Sequence, residues 1–107
     1  MTREEYNKQF LLGLDYEKRS GIVSNEMKIL LQQLIREISI SERYKYLNED
    51  MKYICVVFAY EACIKHIWNF NPEKSSNAFS YIVIIIRSSF ARTIGRLKNN
   101  EITIKTI

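Results

Sequence analysis

The stretch NFNPEKSSNAFSYIVIIIRSSFARTIGRLKNN, residues 69–100, sets a polar proline loop, an apolar run and a basic stretch side by side. Its reading decides the fold. At about 100° per residue, residues 78–98 form a helix with Phe79, Val83, Ile86, Phe90, Ile94 and Leu97 as the predicted core stripe. Tyr81, Ile85, Ser88, Arg92 and Arg96 fall on the opposite side. Between Lys74 and Glu101 there is no acid, so Arg87, Arg92, Arg96 and Lys98 are uncompensated. Such a face fits two uses. One is a plain cationic surface turned to solvent. The other is a nucleic-acid surface, where arginines hold phosphates through charge-assisted bonds and a tyrosine stacks on an unpaired base. Its neutral candidates for reading base edges are Ser88 and Thr93, which favours single-strand or melted-duplex binding over major-groove reading.

Working outward, Pro72 and Asn77 punctuate a loop at 69–77, and a third helix precedes it over 49–69 with Asn48, Glu49 and Asp50 at its start. That helix is apolar nearly all round. Val56, Tyr60, Cys63 and Ile67 make one stripe, and Ile54, Val57, Phe58 and Ile64 another, with Glu61 and Lys65 between them as an i, i+4 ion pair. A helix apolar on two sides either lies central in a core or shows one face to a partner. Residues 24–44 carry Met27, Leu30, Leu31, Leu34, Ile35 and Ile38 at helical spacing, capped by Ser24 or Asn25. Residues 4–18 do the same with Tyr6, Phe10, Leu11 and Leu14, although Gly13 weakens that helix. The expected architecture is all-α: one domain over 1–107, a compact bundle of about four helices. It comprises an N-terminal helix within 1–21, core helices over 22–98 and an irregular tail over 99–107.

Composition excludes several classes. With 47% hydrophobic residues in 107, the chain can bury one core without staples. Cys55 and Cys63 lie eight apart, about 12 Å along a helix and too far to bridge, so they read as buried reduced thiols. No CxxC pair and a single histidine, His66, argue against a metal cluster. There is no Gly-rich phosphate loop and no nucleophile–histidine–acid set, so neither an enzyme nor a cofactor site is expected. His66 reads as a structural or surface residue. The opening MTREEYNKQF is not a signal peptide, and the run YIVIII is far short of the roughly 20 residues of a membrane span. A reducing, cytoplasmic setting follows as the expectation.

The segment NFNPEKSSNAFSYIVIIIRSSFARTIGR resembles the central region of bacterial-type sigma factors, which runs F-D-P-E-K/R, a short gap, F-S-x-Y, then a helix bearing arginines. It is most similar to the small late-transcription sigma factors of tailed phages. Asn69, Phe70, Pro72, Glu73, Lys74, Ser75, Asn77, Phe79 and Tyr81 match without a gap. The likeness extends over 48–98, and YNKQFLLGL is similar to that group's N-terminal helix. It implies a transcription initiation factor in the cytoplasm of a bacterial host. The third helix, through Tyr53, Ile54, Val57, Phe58, Glu61 and Ile64, would dock on the clamp coiled coil of the largest subunit of RNA polymerase. Lys74, Tyr81, Ile85, Arg87, Ser88, Arg92 and Arg96 would hold an AT-rich promoter element and its non-template strand. A co-activator or sliding clamp would be a further partner, joined through a C-terminal epitope for which EITIKTI is a poor version. Departures are plain. Ile84 and Ile85 replace a Trp pair, Ser88 replaces a base-reading Gln, and Val57 and Phe58 replace a polar pair on the docking helix. The rival reading is a helical protein–protein interaction module with no DNA contact.

Overall fold

The computed structural model describes residues 1–99. Four helices carry it: α1 (Arg3–Ser20), α2 (Asn25–Ser39), α3 (Glu49–His66) and α4 (Ala78–Lys98). Single 3-10 turns at Glu42–Tyr44 and Ile67–Asn69 stand in the connections. The fold is all-α, with no strand among the described residues. The tail predicted over 99–107 lies outside them from Asn100 onward.

Each helix starts where a side chain accepts an orphan first-turn N–H. Thr2 accepts from Glu5, Ser24 from Met27, Asn48 from Met51 and Asn77 from Ser80. These are i, i+3 caps, and three of the four stand at positions flagged by the sequence pattern. The ends were harder to read. α2 stops at Ser39, five residues before the predicted Tyr44, because Ser39 Oγ donates to the Arg36 carbonyl and Ser41 Oγ to that of Ile38. Those bonds satisfy carbonyls at the helix end and let the chain turn. Tyr44 then packs edge-on against Phe90 of α4, with ring centroids 4.8 Å apart.

α3 packs chiefly on α4 and next on α2. Its fully buried row is Cys55, Ala59 and Cys63, continued by Ile67. Three small side chains at i, i+4 and i+8 let the neighbouring backbones come close. Cys63 and Ile67 of the first predicted stripe are in this row, whereas Val56, Tyr60, Ile54 and Ile64 are half-buried and Val57 is exposed. The thiols are free, and burial pushes them up to about 11 for Cys55 and about 12 for Cys63, so both stay protonated and inert.

α4 has the bounds expected, but its core stripe is rotated. Ala78, Ile82, Ile86, Ser89, Phe90, Thr93 and Ile94 are buried, whereas Phe79, Val83 and Leu97 sit half-buried at the edge. By length and composition α4 could cross a membrane, yet nearly half of that window is buried in the bundle, as in a core helix.

α1 closes the start of α4. Asn7 Oδ1 accepts the Phe79 N–H at 3.0 Å, and its Nδ2 donates to the Ser76 carbonyl at 3.1 Å. The Arg3 guanidinium lies over the Phe79 ring, 5.3 Å from its centroid. Gly13 has a packing reason: a Cβ there would meet Met27 Sδ at 2.8 Å, so its absence seats α2 on α1. Tyr6 is buried beside Glu37 and Gln33 without closing a hydrogen bond to either; burial first and the Glu37 carboxylate second push its phenol up to about 12.

Glu17 is buried with Oε2 unpartnered, and burial raises its carboxyl above the ordinary 4.5. The folded state therefore prefers the protonated acid. That preference is fully present below pH 4.5 and is lost as pH rises through the raised value. Glu17→Gln is expected to raise the melting temperature at pH 7 and to lose that advantage near pH 4.5, in paired thermal melts. Asn7→Ala is expected to cost about 1–2 kcal/mol in urea unfolding, because it strands the Phe79 N–H at the head of α4.

Candidate nucleic-acid interface

α3 and α4 run antiparallel, and two contacts pin them. At one end the Arg96 guanidinium sits over the Phe58 ring, 6.0 Å from its centroid. At the other, the Tyr81 hydroxyl donates to the His66 carbonyl at 2.9 Å. That carbonyl also opens the 3-10 turn Ile67–Asn69, so the tyrosine adds a second donor at the junction of α3 and the loop.

Between the two contacts lies a groove of about 370 Å³. Phe58, Glu61, Ala62, Lys65 and His66 form its α3 wall; Ser89, Arg92, Thr93 and Arg96 come from α4. Ser89 and Thr93 are only 4% and 3% exposed, yet neither hydroxyl has a hydrogen-bond partner among the described residues. A shallower hollow continues past His66 and Arg92 over Ile84, Ile85, Ser88 and Ala91, with Ile84 64% exposed.

The groove is cationic for a simple reason. The chain's net charge is +4, and α4 alone holds Arg87, Arg92, Arg96 and Lys98 with no acid, so the remainder sums to zero (+4 − 4). The ion pair expected between Glu61 and Lys65 is not closed; the ion pairs among the described residues are Asp15–Arg19, Glu42–Lys45 and Glu49–Lys52. Among the groove-lining residues Glu61 is the acid, on the same wall as Lys65 and across from Arg92 and Arg96.

The predicted DNA-binding set divides. Tyr81, Ile85, Ser88, Arg92 and Arg96 do share one flank of α4, but that flank leans toward α3 instead of pointing straight away from the core. Arg87 falls about 140° from Arg92 around the helix and belongs to another side. Lys74 sits in the loop before α4, whose first residue, Ala78, lies about 21 Å along the axis from Arg92. There its N–H donates to the Asn71 carbonyl, beside an Asx turn in which Asn71 Oδ1 accepts from Glu73. Tyr81 is half-buried, its ring 5.3 Å from that of Phe70, and burial raises its phenol. In this arrangement its ring also serves the junction of α3, loop and α4.

The predicted polymerase-binding set divides too. Tyr53, Ile54, Val57, Glu61 and Ile64 lie on the side of α3 facing away from Cys55, Ala59 and Cys63, with Tyr53 71% exposed. Phe58 turns toward α4 under Arg96 and lines the groove.

Among the polar groove residues, Lys65, His66 and Ser89 escaped the sequence reading as site residues, and Thr93 entered it only as a candidate for reading base edges on the outer face. A signal existed for the last two. They are polar side chains four apart on the inner side of an otherwise apolar helix, where a hydroxyl needs a partner. Trp68, 47% exposed two residues beyond His66, escaped it as well. No group of His, Cys, Asp and Glu among the described residues could hold a metal ion. Compared with family models, curated proteins and solved structures, the chain matches none.

Tyr81→Phe removes only the hydroxyl and its bond to the His66 carbonyl. About 1 kcal/mol of stability is expected to go in urea unfolding, and Tyr81→Ala is expected to cost more by also opening the Phe70 contact.

Proposed function

We propose that this chain is a sigma-like transcription initiation factor, acting in the cytoplasm of a bacterial host. It attaches to RNA polymerase through the outward side of α3 and holds promoter DNA, mainly the non-template strand, along the groove between α3 and α4. One observation carries the reading. The exposed apolar side of α3 and the cationic groove are adjacent faces of one rigid hairpin, so a protein and a nucleic acid can be engaged together. The matched loop over 69–81 supports it, because that loop sets where α4 begins.

The division of labour differs from the first expectation. Arg92, Arg96 and Lys65 carry the phosphate contacts. Ile84, Ile85 and Ser88 continue the same surface beyond them. Tyr81 holds the hairpin together, and Trp68 is the exposed ring near this surface that an unpaired base can use. Stacking of about 1–3 kcal/mol per base is comparable with the cost of unstacking, so the chain does not open duplex by itself. Promoter binding should therefore need the polymerase, which adds phosphate contacts of its own.

A second reading, a protein-binding module without DNA contact, is favoured by the exposure of Tyr53 and Val57 alone. The two separate in a mobility shift of promoter fragments with polymerase and the protein across a salt series. A sigma-like factor gives a shift that needs both proteins and falls steeply as salt rises. Polymerase capture with no change in DNA binding leaves the module reading standing, and a sequence-independent shift without polymerase points to a DNA-coating protein. Tyr53→Glu combined with Val57→Glu is expected to weaken polymerase association at least tenfold with an unchanged melting temperature, since both side chains are exposed. A fall in melting temperature matching the loss of association would remove α3 as the docking side.

A further inference from the structure

The floor of the groove raises a chemical question that the docking of a strand does not by itself answer. Two hydroxyls, Ser89 Oγ and Thr93 Oγ1, are carried by nine-tenths-buried residues and have no protein partner. Neither oxygen is among the fully buried unpartnered atoms, so both open onto the groove, where water or a ligand can satisfy them. The two stand at i and i+4, so both donors rise on one line along the helix. Both line the same hollow as the Lys65 ammonium and the Arg92 guanidinium, which come from opposite walls and have no ion-pair partner among the described residues. Glu61, on the α3 wall, is the opposing charge.

From this juxtaposition we infer that the groove is a phosphate subsite, with Ser89 and Thr93 donating to phosphate oxygens from below and Lys65 and Arg92 neutralising them from the sides. The inference rests on the nucleic-acid reading of this groove and names the group the groove holds. Four donors converging from different directions suit a tetrahedral group with several acceptor oxygens, whereas a planar carboxylate meets a guanidinium edge-on with two. Neutral hydroxyls fixed on the groove floor also discriminate by geometry, which long, exposed lysines and arginines do not. The acid on the α3 wall sets a limit on charge: Glu61 disfavours a dianion and leaves a singly charged phosphodiester as the better guest. The ligand class is thus a phosphate ester, supplied either by a nucleic-acid backbone or as a free phosphate.

The test pairs Ser89→Ala with Thr93→Val in one variant, which removes both hydroxyls at nearly constant volume. Because neither hydroxyl bonds to protein, the melting temperature of the variant should equal or exceed that of the parent. Inorganic phosphate, titrated against chloride at matched ionic strength, should shift the amide resonances of Ala62, Ser89, Arg92 and Thr93 saturably in the parent and not in the variant. A single-stranded oligonucleotide should bind the variant about tenfold more weakly, the loss expected for two hydrogen bonds, with an unchanged salt slope. Arg92→Ala should instead lower that slope by about one. Equal shifts with chloride and phosphate, or an oligonucleotide affinity indifferent to the double variant, overturn the subsite while leaving the nucleic-acid reading intact. A destabilised variant also overturns it, since the hydroxyls would then be structural. Saturable phosphate binding with no oligonucleotide binding, either by the protein alone or with polymerase present, retains the subsite for free phosphate and removes the nucleic-acid reading.

Discussion

The close approach of α3 and α4 is the constraint from which the other features follow. Cys55, Ala59 and Cys63 present a row of small side chains, and α4 lies against them along most of its length. Close packing of two long helices leaves little freedom in their register. Two contacts then fix what remains: Arg96 over Phe58 at one end, and Tyr81 bonded to the His66 carbonyl at the other. A groove between helices held in this way is preorganised, so binding a ligand there costs little ordering entropy.

Helix ends tie the rest of the bundle to that hairpin. The head of α4 has first-turn N–H groups that need acceptors; Asn77 provides one locally and Asn7 another from α1. The end of α3 gains a further donor from α4, the Tyr81 hydroxyl on the His66 carbonyl. In both places a distant segment bonds the end of a helix, which couples local structure to the tertiary fold. Glu17 is the counterexample: a buried carboxylate oxygen without a partner, held in place by the burial of its neighbours.

Much of the fold was legible because it is local. Ser24, Asn48 and Asn77 mark three helix starts, and the apolar spacing of Met27, Leu31, Leu34 and Ile35 marks the inner side of α2. The bounds of α4 were legible for the same reason. What was not legible depends on partners far along the chain. The end of α2 turns on the bonds of Ser39 and Ser41 to preceding carbonyls. The inner side of α4 turns on its packing between α1 and α3, which draws in Ser89 and Thr93 and leaves Phe79 and Val83 at the rim. Tyr81 looked free on a helical wheel and is engaged by Phe70 and His66, residues supplied by the preceding loop and helix. Arg92 and Arg96 kept their predicted side because charge, unlike an aromatic ring, gains little from burial.

The functional account reduces to one spatial claim: nucleic acid and protein partner engage two adjacent sides of the α3–α4 hairpin. Side-chain protection mapping of the complex with polymerase and promoter DNA tests this most directly. The account predicts that DNA shields Lys65, Arg92 and Arg96 while polymerase alone shields Tyr53, with Arg87 and the α1 lysines remaining reactive throughout. Protection of Arg87 or of α1 by DNA, with Lys65 and Arg92 left open, would contradict it.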